Sequence, residues 1–178
     1  MKEKYIETQA SEALIKLLQT NALKDITVKE LCNEAQIGRA SFYRYYTSLE
    51  DVLNKKALFL IQSWGYEFEQ NPNSMPNQVF ESLFYHFKEN QAFYSVLYKC
   101  GQTQVIIDTI KEKIDLHDDL PNSSAYGKSY FAYAIFGWIN EWILRGMKED
   151  PETLNHLFFE QTQMISNTIK LLNNSTGR

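Results

Sequence analysis

The sequence predicts an all-α protein with about nine helices, and three observations support this fold class. Apolar residues recur at three- and four-residue spacing along most of the chain, which is typical of amphipathic helices. Only 7 Gly and 4 Pro interrupt the 178 residues, so long helices with few turns are expected. An alternation of apolar and polar residues, the pattern of a half-buried strand, does not occur.

The first two helices have clear sequence signals. The first is expected between about residues 4 and 20, where apolar residues share one face and Lys and Glu occupy the other. The second is expected to begin at Val28, because Thr27 and Glu30 have the spacing of a capping box. It is expected to continue only to about Ala35, where a turn follows.

A short third helix and a long fourth one complete the N-terminal part. Gly38 is expected to permit the tight turn after the second helix, and the third helix then covers residues 39–45. Ser48 and Asp51 have the spacing of a second capping box, which predicts the start of the fourth helix. We therefore expect a three-helix unit over residues 1–47.

Residues 48–178 are expected to form a second helical unit. Residues 71–76 contain two prolines and polar turn-forming residues, and they end the fourth helix. Asp150 and Pro151 are an N-cap and a first-turn proline. The five helices expected after the break lie near residues 79–87, 93–98, 103–114, 124–147 and 151–172.

Charge is distributed unevenly between the two ends of the chain. Residues 1–56 hold nine basic and eight acidic side chains, whereas residues 57–178 hold nine and fourteen. A polyanionic partner would therefore meet the N-terminal end, although a local excess of one positive charge does not by itself indicate nucleic-acid binding.

Several classes of protein are excluded by simple features. The longest apolar run, residues 130–139, is shorter than the roughly 20 residues of a membrane-spanning helix. Glu7 and Glu12 interrupt what would be the apolar part of a signal peptide, so a cytoplasmic protein is expected. Cys32 and Cys100 stand far apart, which predicts buried thiols rather than a disulfide framework.

The third helix is unusually rich in hydrogen-bond donors. Phe42 and Tyr46, four residues apart, are expected to form its buried face. An αα corner inside an ordinary bundle would explain the spacing of the helices but not these donors, whereas a DNA-reading helix needs them for phosphates and base edges. The donors are Arg39, Ser41, Tyr43, Arg44 and Tyr45.

Residues 26–31 and 35–46 together resemble the DNA-binding domain of the TetR/AcrR family of transcriptional regulators. The resemblance covers roughly residues 5–55 and implies a helix-turn-helix that binds double-stranded operator DNA. It departs from the family at Thr47 and Leu49, where lysines are usual. By resemblance, Thr27, Ser41, Tyr43 and Tyr45 contact phosphates and Arg39, Ala40 and Arg44 face bases; Lys24, Lys29, Lys55 and Lys56 are candidates to replace the missing lysines.

The last two helices carry apolar stripes wider than one neighbouring helix covers. Pairing them with their copies in a second subunit would make a four-helix bundle, and a homodimer would present two reading helices to two half-sites. The alternative is that both stripes face the subunit's own core. The C-terminal part also loosely resembles a Firmicutes subgroup that includes regulators of dihydroxyacetone kinase operons. The candidate interface residues are Trp138, Trp142, Phe158, Ile165 and Ile169.

Aromatic residues in the C-terminal unit are candidates for an effector pocket. Small-molecule sites are commonly apolar with a few hydroxyl groups. Each of these residues taken alone is better explained as a core residue. No cofactor or metal is expected, because His86, Cys100 and His117 lack the spacing of ligands. The candidates are Phe84, Phe87, Tyr94, Tyr98, Tyr126 and Tyr130.

The expected function is a ligand-responsive regulator, a repressor that an unidentified small molecule releases from a palindromic operator. An enzyme is disfavoured, because none of the motifs GxSxG, HExxH, GxxxxGK[ST] or GxGxxG occurs. Two alternatives remain at this point. One is a DNA-binding activator that works with a partner protein, and the other is a helical interaction module that does not bind DNA.

Overall fold

Nine α-helices make up the part of the chain that the computed structural model describes, which is the backbone of residues 2–75 and 78–176. Side chains are described over residues 5–75 and 78–164 and at residue 167. No strand occurs in these ranges, so the all-α prediction is confirmed. The helices are α1 (Lys2–Leu17), α2 (Val28–Glu34), α3 (Arg39–Tyr45), α4 (Leu49–Gln70), α5 (Val79–Glu89), α6 (Gln91–Lys99), α7 (Gln104–Lys113), α8 (Asn122–Leu144) and α9 (Pro151–Thr176).

The N-terminal helices pack around α1. α1 contacts α2, α3 and the beginning of α4, and each of these helices contributes side chains to the shared core. Burying a large aliphatic or aromatic side chain stabilises the fold by about 1.5–3 kcal/mol. The core residues here, all at most 3% exposed, include Ile6, Leu14, Leu31, Phe42, Val52 and Leu53.

Capping interactions set the start of α2 and α4. At α2 the predicted capping box is complete, because Glu30 N donates to Thr27 Oγ1 at 3.2 Å and Thr27 N donates to Glu30 Oε2 at 2.7 Å. At α4 only half of the predicted box forms. Asp51 N donates to Ser48 Oγ at 3.2 Å, but the Asp51 carboxylate accepts from Thr47 N instead of Ser48 N.

The turn between α2 and α3 is made differently from the prediction. Gln36 has the left-handed backbone conformation, with φ 53°, whereas Gly38 is an extended N-cap with φ −74°. Ile37 N donates to Cys32 O at 3.0 Å and closes the turn. A Cβ added to Gly38 would come no closer than 3.9 Å to another atom, the Ser41 Oγ. The turn therefore depends on Gln36 and not on the glycine.

Replacing Gln36 with valine is expected to lower the free energy of unfolding by about 1–2 kcal/mol, because a β-branched side chain is strained at positive φ. Asparagine tolerates this conformation, so Gln36→Asn should change stability by less than about 0.5 kcal/mol. Urea unfolding followed by circular dichroism measures both. Equal stability of the two variants would contradict the assigned turn.

The C-terminal helices pack onto the second half of α4. α4 contacts α1 at one end and α7 further along, while α5 packs on α9 and α8 packs on α6 and α7. α8 was predicted to reach residue 147 but ends at Leu144, because Gly146 has φ 85° and Met147 N donates back to Trp142 O at 2.8 Å. α1 likewise ends at Leu17 rather than residue 20.

Candidate DNA interface and sensing core

Helix α3 presents a polar face to solvent. Arg39, Ala40 and Arg44 are exposed, and the Tyr43 side chain is 54% exposed. Neither Arg39 nor Arg44 forms an ion pair with another described residue. Both guanidinium groups are therefore available for an external hydrogen-bond acceptor, and Arg is the side chain best suited to pair with two acceptors on a guanine edge.

The opposite face of α3 holds the helix in place. Phe42 is fully buried and Tyr46 is 3% exposed, with ring centroids 5.4 Å apart, which agrees with the buried face expected from the sequence. Burial is the main cause that raises the pKa of Tyr46 to about 12, with smaller contributions from Glu7 and Asp51. Tyr46 therefore stays neutral, as a core residue must.

The remaining residues expected to contact DNA are less free than those on the exposed face. Ser41 and Tyr45 are half-buried. Thr27 is exposed, but its hydroxyl donates to Glu30 Oε2 at 2.7 Å and accepts from Glu30 N. These hydrogen bonds from Thr27 lower the pKa of the Glu30 carboxyl, so the carboxylate that holds the Thr27 hydroxyl is ionised at neutral pH.

One of the lysines suggested as a replacement for the missing family lysines has a structural role. Lys55 Nζ donates to the Tyr45 carbonyl oxygen at the end of α3, lies 3.3 Å from Asp51 Oδ2 and stands over the Tyr46 ring. A cation at a helix C-terminus stabilises the unpaired carbonyls. Lys24 and Lys29 are exposed and form no ion pair within the described part of the chain. Lys24 and Lys29 are therefore better candidates than Lys55 to replace the missing family lysines.

Three of the six effector candidates are buried in the core, and two of them contact each other. Phe84, Phe87 and Tyr94 are at most 1% exposed, and the Phe87 and Tyr94 rings lie 4.2 Å apart between centroids. Sequence reasoning missed their polar neighbour: His86 Nε2 lies 2.7 Å from Tyr94 Oη. Burial lowers the pKa of His86 to about 4, so the imidazole is neutral at physiological pH. His86 and Tyr94 thus form a polar pair inside an otherwise aromatic core.

The other three effector candidates lie elsewhere. The Tyr98 side chain is half-buried and its hydroxyl is buried without a hydrogen-bond partner in the described structure. Burial raises the pKa of this phenol, so it remains a potential donor. Tyr126 and Tyr130 are 70% and 65% exposed on α8, so the structure does not bring them to the buried group.

The apolar stripes of α8 and α9 divide between core and surface. Trp142 and Phe158 are buried in the subunit's own core, where Phe84 packs against both. Trp138 is half-buried and contacts Phe158, with ring centroids 5.5 Å apart. The side chains of Ile165 and Ile169 lie outside the described ones.

A groove between α8 and α9 carries other apolar residues on its surface. Tyr133 and Leu157 are 52% and 37% exposed and line the groove with Gly137, whose missing side chain leaves open space. Tyr133 forms an exposed stripe along α8 together with Tyr126 and Tyr130. The four- and three-residue steps from Tyr126 to Tyr130 to Tyr133 were visible in the sequence and would have identified this face.

Other kinds of site find little support. Within the described ranges, no three His, Cys, Asp or Glu side chains come close enough to hold a metal ion. Cys32 is buried and Cys100 half-buried, and both are free thiols. No helix in the same ranges has the length and hydropathy needed to cross a membrane.

The known proteins that this chain resembles in sequence are transcriptional regulators. The family described as "Transcriptional regulator C-terminal region" (TetR_C_8) matches residues 74–164. The uncharacterized HTH-type transcriptional regulator YxbF of Bacillus subtilis (strain 168) is 29% identical over 155 residues, which cover 76% of this chain. The chain spans only 40% of that relative's length.

Solved structures show the same fold. Lin0861 from Listeria innocua has a TM-score of 0.76 at 17% identity, with 92% of each chain covered. A TetR transcriptional regulator from Streptococcus agalactiae 2603V has a TM-score of 0.56 at 18% identity over 90% of this chain and 94% of its own. The dihydroxyacetone kinase operon activator DhaS has a TM-score of 0.51 at 19% identity, covering 93% and 97%. At these identities the likeness concerns the fold alone.

Proposed function

The chain belongs to the TetR family of transcriptional regulators, and from this premise we propose that it is a repressor that binds a palindromic operator as a homodimer and is released by a small molecule. Its relatives are regulators rather than enzymes. A regulator of this kind acts on DNA in the cytoplasm, and we include that location in the proposal.

The observation that carries the proposal is the two-sided character of α3. Phe42 and Tyr46 bury one side in the N-terminal core, while Arg39, Tyr43 and Arg44 extend into solvent from the other. A seven-residue helix has no need of unpaired arginines for stability, but the major groove of DNA admits such a helix and offers acceptors to it.

We assign the contacts by their chemistry. The proposed DNA-binding unit is residues 1–47, with residues 48–178 for sensing and dimerisation. Arginine pairs with guanine O6 and N7, whereas hydroxyl groups donate to phosphate oxygens. In this assignment Arg39, Ala40 and Arg44 face bases and Thr27, Ser41, Tyr43 and Tyr45 face phosphates. Thr27 would have to exchange its hydrogen bond to Glu30 for one to DNA.

Homodimerisation is supported by the exposed apolar groove of α8 and α9. Tyr133 and Leu157 are large apolar side chains left partly in water by the single subunit. A two-fold axis through this groove would cover them and would hold two copies of α3 for half-sites about 34 Å apart, one DNA turn. A monomer has only one copy of α3 and cannot contact two half-sites at once.

Release by an effector requires a connection between the sensing core and the DNA-binding unit, and α4 supplies one. Its first residues pack in the N-terminal core, and its later residues pack on α5 and α7. Asn54 on α4 donates to Gln102 Oε1 at 3.3 Å, just after α6. α6 carries Tyr94 and Tyr98, so a ligand that moves α6 would also act on α4 and thereby on the spacing of the reading helices.

Replacing Tyr43 with phenylalanine is expected to weaken DNA binding about tenfold, and equally for operator and random duplexes, because a phosphate contact carries no sequence information. Tyr66→Phe is the matched control, since Tyr66 is 63% exposed on α4, far along the chain from α3. Fluorescence anisotropy with both duplexes measures the losses. A loss confined to one operator sequence would contradict a phosphate role, and no loss at all would remove Tyr43 from the interface.

A further inference from the structure

A cleft of about 400 Å³ lies between the second half of α4 and α5. It is separate from the α8–α9 groove, and His86, which lines the cleft, also contacts Tyr94 of the buried aromatic group. Small-molecule sites in proteins have volumes of roughly 300–1,000 Å³. The cleft is thus large enough for a small ligand.

One wall of the cleft is aromatic and held in a fixed orientation. The Trp64 ring lies 6.1 Å from the Phe68 ring and 6.0 Å from the His86 ring, measured between centroids. Trp64 Nε1 donates to Ser82 Oγ at 2.9 Å, which joins α4 to α5 and fixes the indole. A rigid indole face attracts cations, because its π electrons place negative charge there.

The charges that line the cleft are all negative. Glu67 and Glu89 both line it, no Lys or Arg does, and neither carboxylate forms an ion pair with any residue described. Carboxylates without partners beside an aromatic wall favour a positively charged ligand over a neutral or anionic one.

His86 adds a polar group to this lining. The residue is 7% exposed, and its Nε2 is engaged with Tyr94 Oη. Among the described residues, its other ring nitrogen, Nδ1, has no hydrogen-bond partner, although the imidazole lines the cleft. The neutral ring contributes no positive charge that would repel a cation, and it offers a further polar contact to a ligand.

A metal ion does not fit the same lining. His86, Glu67 and Glu89 do not converge, since no group of three potential ligands is found in the described part of the chain. The apolar wall requires an occupant with an organic body as well as a charge.

We propose that the α4–α5 cleft binds a small organic cation, with its positive group near the Glu67 and Glu89 carboxylates and its apolar body against Trp64 and Phe68. This inference rests on the proposed function only in treating the cation as the effector. Because α4 forms one wall and also packs in the DNA-binding unit, a bound cation would change the position of that unit.

The test uses benzyltrimethylammonium chloride as the probe in isothermal titration calorimetry, with benzyl alcohol and phenylacetate as neutral and anionic comparisons. Saturable binding of the cation alone is expected. Glu67→Gln combined with Glu89→Gln should weaken it at least about tenfold. Glu69→Gln should leave it unchanged, because Glu69 lies on the same helix but outside the cleft, 2.8 Å from Lys113 Nζ.

Equal affinity for the neutral compound, no saturable binding of the cation at millimolar concentration, or an unchanged affinity in the double variant would overturn the inference. Circular dichroism checks that the glutamine variants are folded. Operator binding is measured separately by anisotropy. Sequence-specific DNA binding without cation binding would refute the cleft alone, whereas cation binding by a protein that binds no DNA would refute the proposed function alone.

Discussion

Replacing Leu157 with glutamate is expected to convert the homodimer into a folded monomer and to weaken operator binding at least about a hundredfold. Leu157 is 37% exposed and lines the α8–α9 groove. In a dimer the new carboxylate would be buried without a partner, twice per interface, at a cost of several kcal/mol. In a monomer the same carboxylate reaches water, so the subunit itself is little affected.

Light scattering after size-exclusion chromatography, combined with circular dichroism, measures this change. Phe59→Glu is the matched control, because Phe59 is 54% exposed on α4 and outside the groove, and that variant should remain dimeric. Trp138 is a poorer target, since it packs against Phe158 within the subunit. A Leu157→Glu protein that stays dimeric would place the interface elsewhere, and an unfolded one would assign Leu157 to the core.

The combined substitution of Arg39 and Arg44 by alanine is expected to cost the dimer at least about a hundredfold in operator affinity and much less on random duplexes. Each bidentate arginine–guanine pair provides about 1–3 kcal/mol of discrimination, and the dimer would carry two copies of each arginine. Because both side chains are exposed and lack internal partners, their removal should leave the fold intact.

Anisotropy titrations with operator and random duplexes compare the two losses. Lys113→Ala is the control, since Lys113 is also exposed and cationic but lies on α7, paired with Glu69 and outside both the DNA-binding unit and the α8–α9 groove. Lysine substitutions at the two positions separate charge from geometry, because lysine keeps the charge without the planar pair of donors. Equal losses on both duplexes would reassign these arginines to phosphate contacts.

Local signals predicted the helix-turn-helix closely. The Thr27–Glu30 box marks the start of α2, and the alternation of donors with Phe42 and Tyr46 outlined α3. Each of these features depends on residues only a few positions apart, so it can be predicted from the sequence alone. The turn was the exception, because backbone strain at Gln36 depends on how α2 and α3 pack and not on residue type alone.

Features that depend on distant contacts could not be predicted. An apolar stripe does not reveal which surface covers it, and so Trp142 and Phe158, expected at an interface, are buried against Phe84 in their own subunit. The contacts of His86 with Tyr94 and of Trp64 with Ser82 join different helices. The spacing of residues along the chain does not predict such contacts, because they depend on how the helices pack together.

The most direct test of the account is selection of bound duplexes from a random DNA library by the purified protein, followed by sequencing. We expect enrichment of one inverted repeat with half-site centres about 34 Å apart, or a multiple of that distance, and no such enrichment by the protein that lacks Arg39 and Arg44. Failure to enrich any common sequence at low salt, or enrichment of an unrepeated site bound by a single subunit, would contradict it.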